Sequence, residues 1–272
     1  MDLQDRVAVV TGGGGGIGEG VCLCLAREGA HVVVSDIKQD LAQNVSAKVI
    51  EAGRKSLAVK TDVSREDECE ALIDTAIREM GRLDILVCSA GTAGVQFMAS
   101  SENATDVENI PLEVWNMTMD VNLKGVFLTN RAAIPHFKQQ KSGKIINISS
   151  DAGRKGGTTL PVYGASKAGV INLSQSIALQ TAPFNINVNT ICPGLIWTPL
   201  WAEGIKRLLE MRSEPVDVSP EEAWNLMVNT STPLGRPQTP EDIGNLAVFL
   251  ASDRAREITG QAFNVDGGIQ LN

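Results

Sequence analysis

Short, continuous apolar runs alternate along the chain with longer stretches in which apolar positions recur at helical spacing. Val7-Ala8-Val9-Val10 is uninterrupted and rich in β-branched residues, as a strand covered on both faces of a sheet requires. Residues 31–35, 56–60, 84–88, 144–148, 186–191 and 263–265 read the same way. Between them, helical periodicity predicts helices over residues 19–28, 41–52, 66–80, 112–138, 163–181 and 240–251. Strands alternating with helices of this length predict right-handed crossovers and a parallel sheet, an α/β architecture. Asn122 lies inside the 112–138 helix close to Gly125, a pairing expected to loosen the helix locally. Residues 94–111 are polar and predict an extended surface loop. With no internal repeat and no linker, residues 1–272 read as one domain. Residues 197–235 hold Trp197, Trp201, Leu208, Leu209, Met211, Trp224 and Met227 with two short helices, as a lid over a pocket or a packed excursion.

Composition narrows the function classes. The net charge of −8 disfavours nucleic acid or an anionic membrane as partner. No apolar run approaches the length of a membrane span, and the N-terminus lacks a charged-then-apolar leader pattern. Five cysteines without C-x-x-C spacing and only two histidines predict reduced thiols, a cytoplasmic location and no metal site.

Four stretches bear candidate chemistry. Thr11-Gly12-Gly13-Gly14-Gly15-Gly16-Ile17-Gly18 sits between the first strand and the first helix. Glycines there let the backbone turn tightly and approach a pyrophosphate, which the helix N-terminus attracts. The plainer alternative is a flexible loop. Asp36 ends the second strand, where an acid binds adenosine ribose hydroxyls and repels a 2′-phosphate, so NAD is predicted over NADP. Ile37 adds no cation, and Lys38 is the nearby counter-signal; a turn or capping role for Asp36 is the alternative. Tyr163, the only tyrosine, and Lys167 lie one helical turn apart on one face. An ammonium beside a phenol favours the phenolate, which can exchange a proton with an alcohol or a carbonyl. Ser149 and Ser150 end the fifth strand, at the edge where open α/β sheets bind ligands.

Thr11-Gly12-x-x-x-Gly16-Ile17-Gly18, Asp62-Val63, Asn122, Ser149-Ser150, Tyr163-x-x-x-Lys167, Pro193-Gly194 and Thr198 occur in that order. In this ordered set the chain resembles the short-chain dehydrogenase/reductase family over essentially its whole length. The family's N-N-A-G appears here as Cys88-Ser89-Ala90-Gly91, a departure that bears on packing beside the adenosine more than on catalysis. The resemblance implies a Rossmann-type, doubly wound, three-layer αβα sandwich around a mostly parallel seven-stranded sheet. It implies a catalytic set in which Tyr163 is general acid/base, Lys167 lowers its pKa and bonds the nicotinamide ribose, Ser150 holds the substrate oxygen, and Asn122 holds a water. For the cofactor it implies Gly12, Gly16, Ile17 and Gly18 at the phosphates, Asp62 at adenine, Gly91 at ribose, and Ile196 and Thr198 at the carboxamide. Val63, Ala90, Pro193 and Gly194 complete that set. The implied reaction moves hydride between NAD and a secondary alcohol such as a polyol, sugar derivative or cyclic alcohol. A carbonyl or 3-oxoacyl-thioester reductase using NAD(P)H, and a non-catalytic binding protein on the same fold, are the competing readings. The substrate pocket is expected from residues 92–98, 151–160 and 195–212, with Arg154 and Lys155 either solvated or facing an anionic group. Relatives imply a homotetramer through helices 112–138 and 163–181 and the last strand.

Overall fold

The computed structural model describes residues 1–95, 102–210 and 218–271. Among these, seven strands form one parallel sheet: β1 (Val7–Thr11), β2 (His31–Asp36), β3 (Ser56–Lys60), β4 (Ile85–Cys88), β5 (Gly143–Ile148), β6 (Ile186–Pro193) and β7 (Ala262–Val265). The spatial order is β3-β2-β1-β4-β5-β6-β7, so the winding reverses between β1 and β4. That reversal leaves a crevice beyond the carboxyl ends of the strands, where no crossover covers them.

The helices are α1 (Gly16–Arg27), α2 (Gln39–Glu51), α3 (Glu66–Met80), α4 (Leu112–Met119), α5 (Gly125–Gln140), α6 (Pro161–Thr181), α7 (Pro199–Glu210), α8 (Pro220–Ser231) and α9 (Pro240–Ala251). Alternate strand residues feed two cores. Ala8, Val10, Val32, Val34, Ile146 and Ile148 pack with Val21 and Leu25 of α1 and Ile243 and Leu250 of α9. Val9, Val33, Leu86 and Ile145 pack on the opposite face with Leu72 of α3, Phe137 of α5 and Val170 of α6. Burial on both faces explains why the strands read as unbroken apolar runs rather than alternating ones.

Three local features differ from the sequence expectation. Helix α1 begins at Gly16, inside the glycine run, rather than at residue 19. The helix expected over 112–138 is interrupted by a π-helical turn, Asp120–Lys124, where Asn122 is fully buried. The extra residue in that turn swings Asn122 inward, so the loosening has a positional result. The segment expected as loop contains two short 3₁₀ turns, Glu102–Thr105 and Val107–Asn109, while its residues 96–101 lie outside the described residues.

Candidate active site

The crevice is a cleft of about 440 Å³. Its walls come from the glycine turn, Asp36 and Ile37 after β2, Thr61, Asp62 and Val63 after β3, Ser89 to Thr92 after β4, Ser149 after β5, and Tyr163, Lys167 and Thr198.

The glycine turn is shaped by what its residues lack. Gly12 has a φ of 64°, and a Cβ there would lie 2.6 Å from Ala90 Cα. A Cβ on Gly18 would lie 2.1 Å from the Gly12 carbonyl oxygen. A Cβ on Gly15 would meet nothing within 4 Å. No side chain caps α1, so its first N–H groups are left for an external acceptor. An uncapped helix start behind a backbone-only turn fits the pyrophosphate of a dinucleotide. Asp36 stands beside it and accepts from the N–H of Gly14 at 3.1 Å and of Lys38 at 3.0 Å. The turn-capping alternative for Asp36 is thus realised locally, while the residue still lines the cleft. Asp62 Oδ1 likewise accepts from the Ser64 N–H and hydroxyl at 2.9 and 2.7 Å.

Pro161 opens α6 with a φ suited to a first helical turn and brings Tyr163 to the cleft. Lys167 follows one turn later, buried, with Nζ 5.7 Å from the Tyr163 ring centroid and donating to the Ile148 carbonyl at 3.0 Å. The 3₁₀ turn Asp151–Gly153 packs directly on this helix, where a Cβ at Gly153 would lie 2.7 Å from the Lys167 carbonyl carbon. Ser149 faces the cleft but spends its proton on the Lys167 carbonyl at 2.7 Å. Ser150 is the serine near enough to the Tyr163 phenol to favour its phenolate, while its hydroxyl donates to Asp151 Oδ1 at 3.0 Å.

The electrostatics reverse one expectation. Tyr163 was expected to be lowered by Lys167; instead burial pushes its phenol up to about 12, against a smaller lowering effect of the Ser150 hydrogen bond. Burial also pushes Lys167 down to about 8. The ring face is partly open, but desolvation governs at the hydroxyl, and Lys167 directs its ammonium at a backbone carbonyl rather than at the phenol oxygen.

Asn122 accepts from the Thr92 N–H at 2.8 Å and donates to the Thr92 carbonyl at 2.9 Å and to Ser166 Oγ at 3.0 Å. Its side chain pins the segment after β4 to α6 instead of reaching into open cleft. Gly12, Gly16, Ile17, Gly18, Asp36, Asp62, Val63, Ala90, Gly91 and Thr198 all line the cleft with Tyr163 and Lys167. Pro193, Gly194 and Ile196 do not. Ile196 is core, bridging to Gln238, and a Cβ on Gly194 would lie 2.7 Å from both Asp266 Cβ and Gln238 Oε1. Thr92 falls within the expected pocket segment 92–98, whereas sequence reasoning missed the wall residues Thr61, Met117 and Val121. The spacing of Met117 and Val121 along one helix face was the available signal; Thr61 had none.

Arg154 is neither solvated nor turned to the cleft. Its guanidinium donates to Asn264 Oδ1 at 3.1 Å and to the Ala262 carbonyl, tying the turn to β7. Lys155 is exposed. The tryptophans pack on one another, with Trp224 buried 5.3 Å from Trp197 and 5.8 Å from Trp201 between ring centroids. Met211, the rest of residues 211–217, and residues 96–98 of the expected pocket lie outside the described residues. All five cysteines are buried free thiols. Among the described residues, no group of three or more His, Cys, Asp or Glu is placed to hold a metal, and no helix is long and apolar enough to cross a membrane.

Comparison with known proteins agrees with this geometry. A family model described as enoyl-(acyl carrier protein) reductase matches residues 12–270. A short-chain dehydrogenase/reductase of Armillaria gallica is 38% identical over 269 residues, covering 98% of this chain and 96% of the relative. The cis-4-hydroxycyclohexanecarboxylate dehydrogenase of Sinomonas cyclohexanicum is 37% identical over 266 residues, covering 98% and 97%. Among solved structures, an NAD⁺-bound xylitol dehydrogenase superposes with a TM-score of 0.88 at 28% identity, covering 98% of this chain and all of that one.

Proposed function

This chain belongs to the short-chain dehydrogenase/reductase family of oxidoreductases, and we propose that it is an NAD-dependent dehydrogenase of a secondary alcohol. The observation that carries the reading is Tyr163 with Ser150 beside its phenol and Lys167 one turn on, at the wall of a cleft shaped for a dinucleotide. When bound, the nicotinamide supplies the carbon that takes or returns hydride. Ser150 holds the substrate oxygen against the phenol, and Tyr163 exchanges its proton. A buried ammonium at Lys167 offsets part of the cost of a phenolate in the same low-dielectric site. Asn122 keeps the floor of the cleft fixed to α6. Asp36, with apolar Ile37 beside it, selects NAD by repelling a 2′-phosphate. The relatives named for cis-4-hydroxycyclohexanecarboxylate and xylitol support a cyclic alcohol or a polyol as the substrate class.

A second reading is a carbonyl or 3-oxoacyl-thioester reductase. The raised phenol favours it, because a protonated tyrosine is ready to protonate a carbonyl. A panel of secondary alcohols with NAD⁺ and NADP⁺, and of ketones and 3-oxoacyl thioesters with NADH and NADPH, separates the two. Turnover of alcohols with NAD⁺ is expected. Equal kcat/KM with NADP⁺ overturns the role of Asp36, and no turnover across the panel returns the non-catalytic alternative.

We take residues 1–272 as a single domain in which 197–235 covers the substrate. A homotetramer is the proposed assembly, supported by Leu112, Trp115, Phe127 and Leu179, apolar side chains left exposed on α4, α5 and α6. Five free buried thiols support a reducing, cytoplasmic setting. Sedimentation or light scattering tests the assembly, and a monomer overturns it.

A further inference from the structure

Tyr163 shares an apolar cluster with three aliphatic side chains that come from three different elements. Ala93, Val95, Ala104 and Val114 form the buried part of the cluster, and Ile110, Leu160, Leu208 and Tyr163 pack against it. Ile110 lies just before α4, Leu160 just before α6, and Leu208 in α7. All three are half-buried, as is Tyr163 itself. A half-open aliphatic side chain gains free energy when another apolar group covers it. A polar group placed against the same hydrocarbon gives up water and receives no hydrogen bond in return. Ile110, Leu160 and Leu208 therefore offer a substrate at Tyr163 contact with hydrocarbon alone.

The charges at this end of the cleft point the same way. Asp151 Oδ1 lies 3.0 Å from Ser150 Oγ, so a half-buried carboxylate stands directly behind the serine read as holding the substrate oxygen. The cations nearby are committed elsewhere. Arg154 donates to Asn264 Oδ1 and the Ala262 carbonyl. Arg207, beside Leu208, pairs with Glu210 at 3.1 Å. Lys167 donates to the Ile148 carbonyl at 3.0 Å, and Lys155 is exposed and offsets Asp151 itself. A substrate carboxylate brought to Tyr163 would meet a like charge before it met a cation. We propose that the site selects an uncharged secondary alcohol whose carbinol carbon carries apolar groups, over a polyol or a hydroxy acid. Ile110, Leu160 and Leu208 are its specificity-determining side chains, and Asp151 turns anions away. The inference rests on the reading of Tyr163 and Ser150 as the pair that meets the substrate oxygen, and it takes the cyclic alcohol rather than the polyol of the two classes named above.

A matched series tests this. 4-Isopropylcyclohexanol, 4-hydroxycyclohexanecarboxamide and 4-hydroxycyclohexanecarboxylate share a ring and a substituent of similar size, and differ in its polarity and charge. With NAD⁺, kcat/KM should fall by about tenfold or more from the isopropyl to the amide member, and by about a hundredfold or more to the carboxylate. Equal values, or a polar member ahead, overturn the proposal. Leu160→Asn puts an amide of similar size into the wall and should narrow the isopropyl-to-amide ratio by about fivefold or more. Leu208→Asn is measured beside it, so that poor folding of one variant leaves the other; a ratio unmoved in both overturns the assignment of the wall. Asp151→Asn should raise the carboxylate-to-isopropyl ratio by about tenfold, whatever happens to the rate itself, and an unmoved ratio overturns its role. Calorimetry keeps this apart from a failure of the dehydrogenase reading. The three corresponding ketones cannot react with NAD⁺-loaded protein, and their Kd values should follow the same order. If no alcohol is turned over while the ketones bind in that order, the dehydrogenase reading fails and the apolar selection stands. A reversed order, or no binding of the isopropyl ketone, overturns the selection.

Discussion

The glycine turn and the start of α6 meet at one sheet edge and work by opposite means. The turn is made by leaving side chains out, and its limits are steric: a Cβ on Gly18 would lie 2.1 Å from the Gly12 carbonyl oxygen. The start of α6 is made by burying groups that resist burial, with the Tyr163 phenol pushed up to about 12 and the Lys167 amine down to about 8. A steric site has no pH dependence of its own and fails abruptly when filled. An electrostatic site holds free energy in its protonation states and answers to pH.

The sharpest way to separate the two is to remove the phenol oxygen alone. Tyr163→Phe keeps the ring packed beside Val95 and Val114 and should lower kcat/KM by about 10³ to 10⁴. Calorimetric NAD affinity should stay within about twofold, because the glycine turn is untouched. Residual activity above a tenth of wild type would sink the role of Tyr163. The complementary break is Gly18→Ala, which forces the turn apart. It should cost roughly 1–3 kcal/mol of stability and abolish NAD binding at every pH. A thermal melt and an NAD titration at two pH values check this; a pH-dependent loss would mean that the turn is not a purely steric element.

Lys167→Met probes the electrostatic side through stability as well as rate. The displacement of the amine from 10.5 to about 8 corresponds to roughly 3 kcal/mol of strain while it is charged. The sign follows from the lowered folded value. Between about 8 and 10.5 the unfolded chain binds more protons than the folded one, so the wild type gains stability as pH rises through that window. The methionine variant should therefore be the more stable protein at pH 7, less about 1 kcal/mol for the lost bond to the Ile148 carbonyl. Its advantage should vanish by pH 10, while its activity is low throughout. Urea unfolding of both proteins at pH 7 and 10 measures the difference; a constant gap contradicts the assignment.

The strands were legible because a sheet covered on both faces demands continuous apolar runs, and the glycine turn because its residue type is its function. Tyr163 and Lys167 were legible as a pair through helical spacing. What their proximity does was not legible, because desolvation depends on neighbours brought in from β5 and the segment after β4. Ser150 was separable from Ser149 only by resemblance; the physical separation is the Lys167 carbonyl that occupies Ser149. The tryptophan cluster is shared between the start of α7 and the middle of α8, and no local pattern distinguishes mutual packing from a ligand wall. Asn122 hinted at a loosened helix, but the contact with Thr92 that gives it a purpose spans 30 residues.

The smallest effect tests where the electrostatic region ends. Arg154 follows Ser150 by four positions, yet its guanidinium serves Asn264 and the Ala262 carbonyl. Arg154→Met keeps much of the apolar stem and removes those bonds, leaving two acceptors at the β7 edge without this donor. Stability should fall by about 1–3 kcal/mol, since hydrogen bonds from a charged donor are lost. The kcat for a neutral alcohol should change by less than about twofold, because no donor to the substrate oxygen is lost. The informative measurement is KM for a matched pair of substrates, one neutral and one carrying a carboxylate. Equal, small changes place Arg154 in the scaffold. A rise of tenfold or more confined to the anionic member would move it into the site and extend the charged region past the turn that carries Asp151.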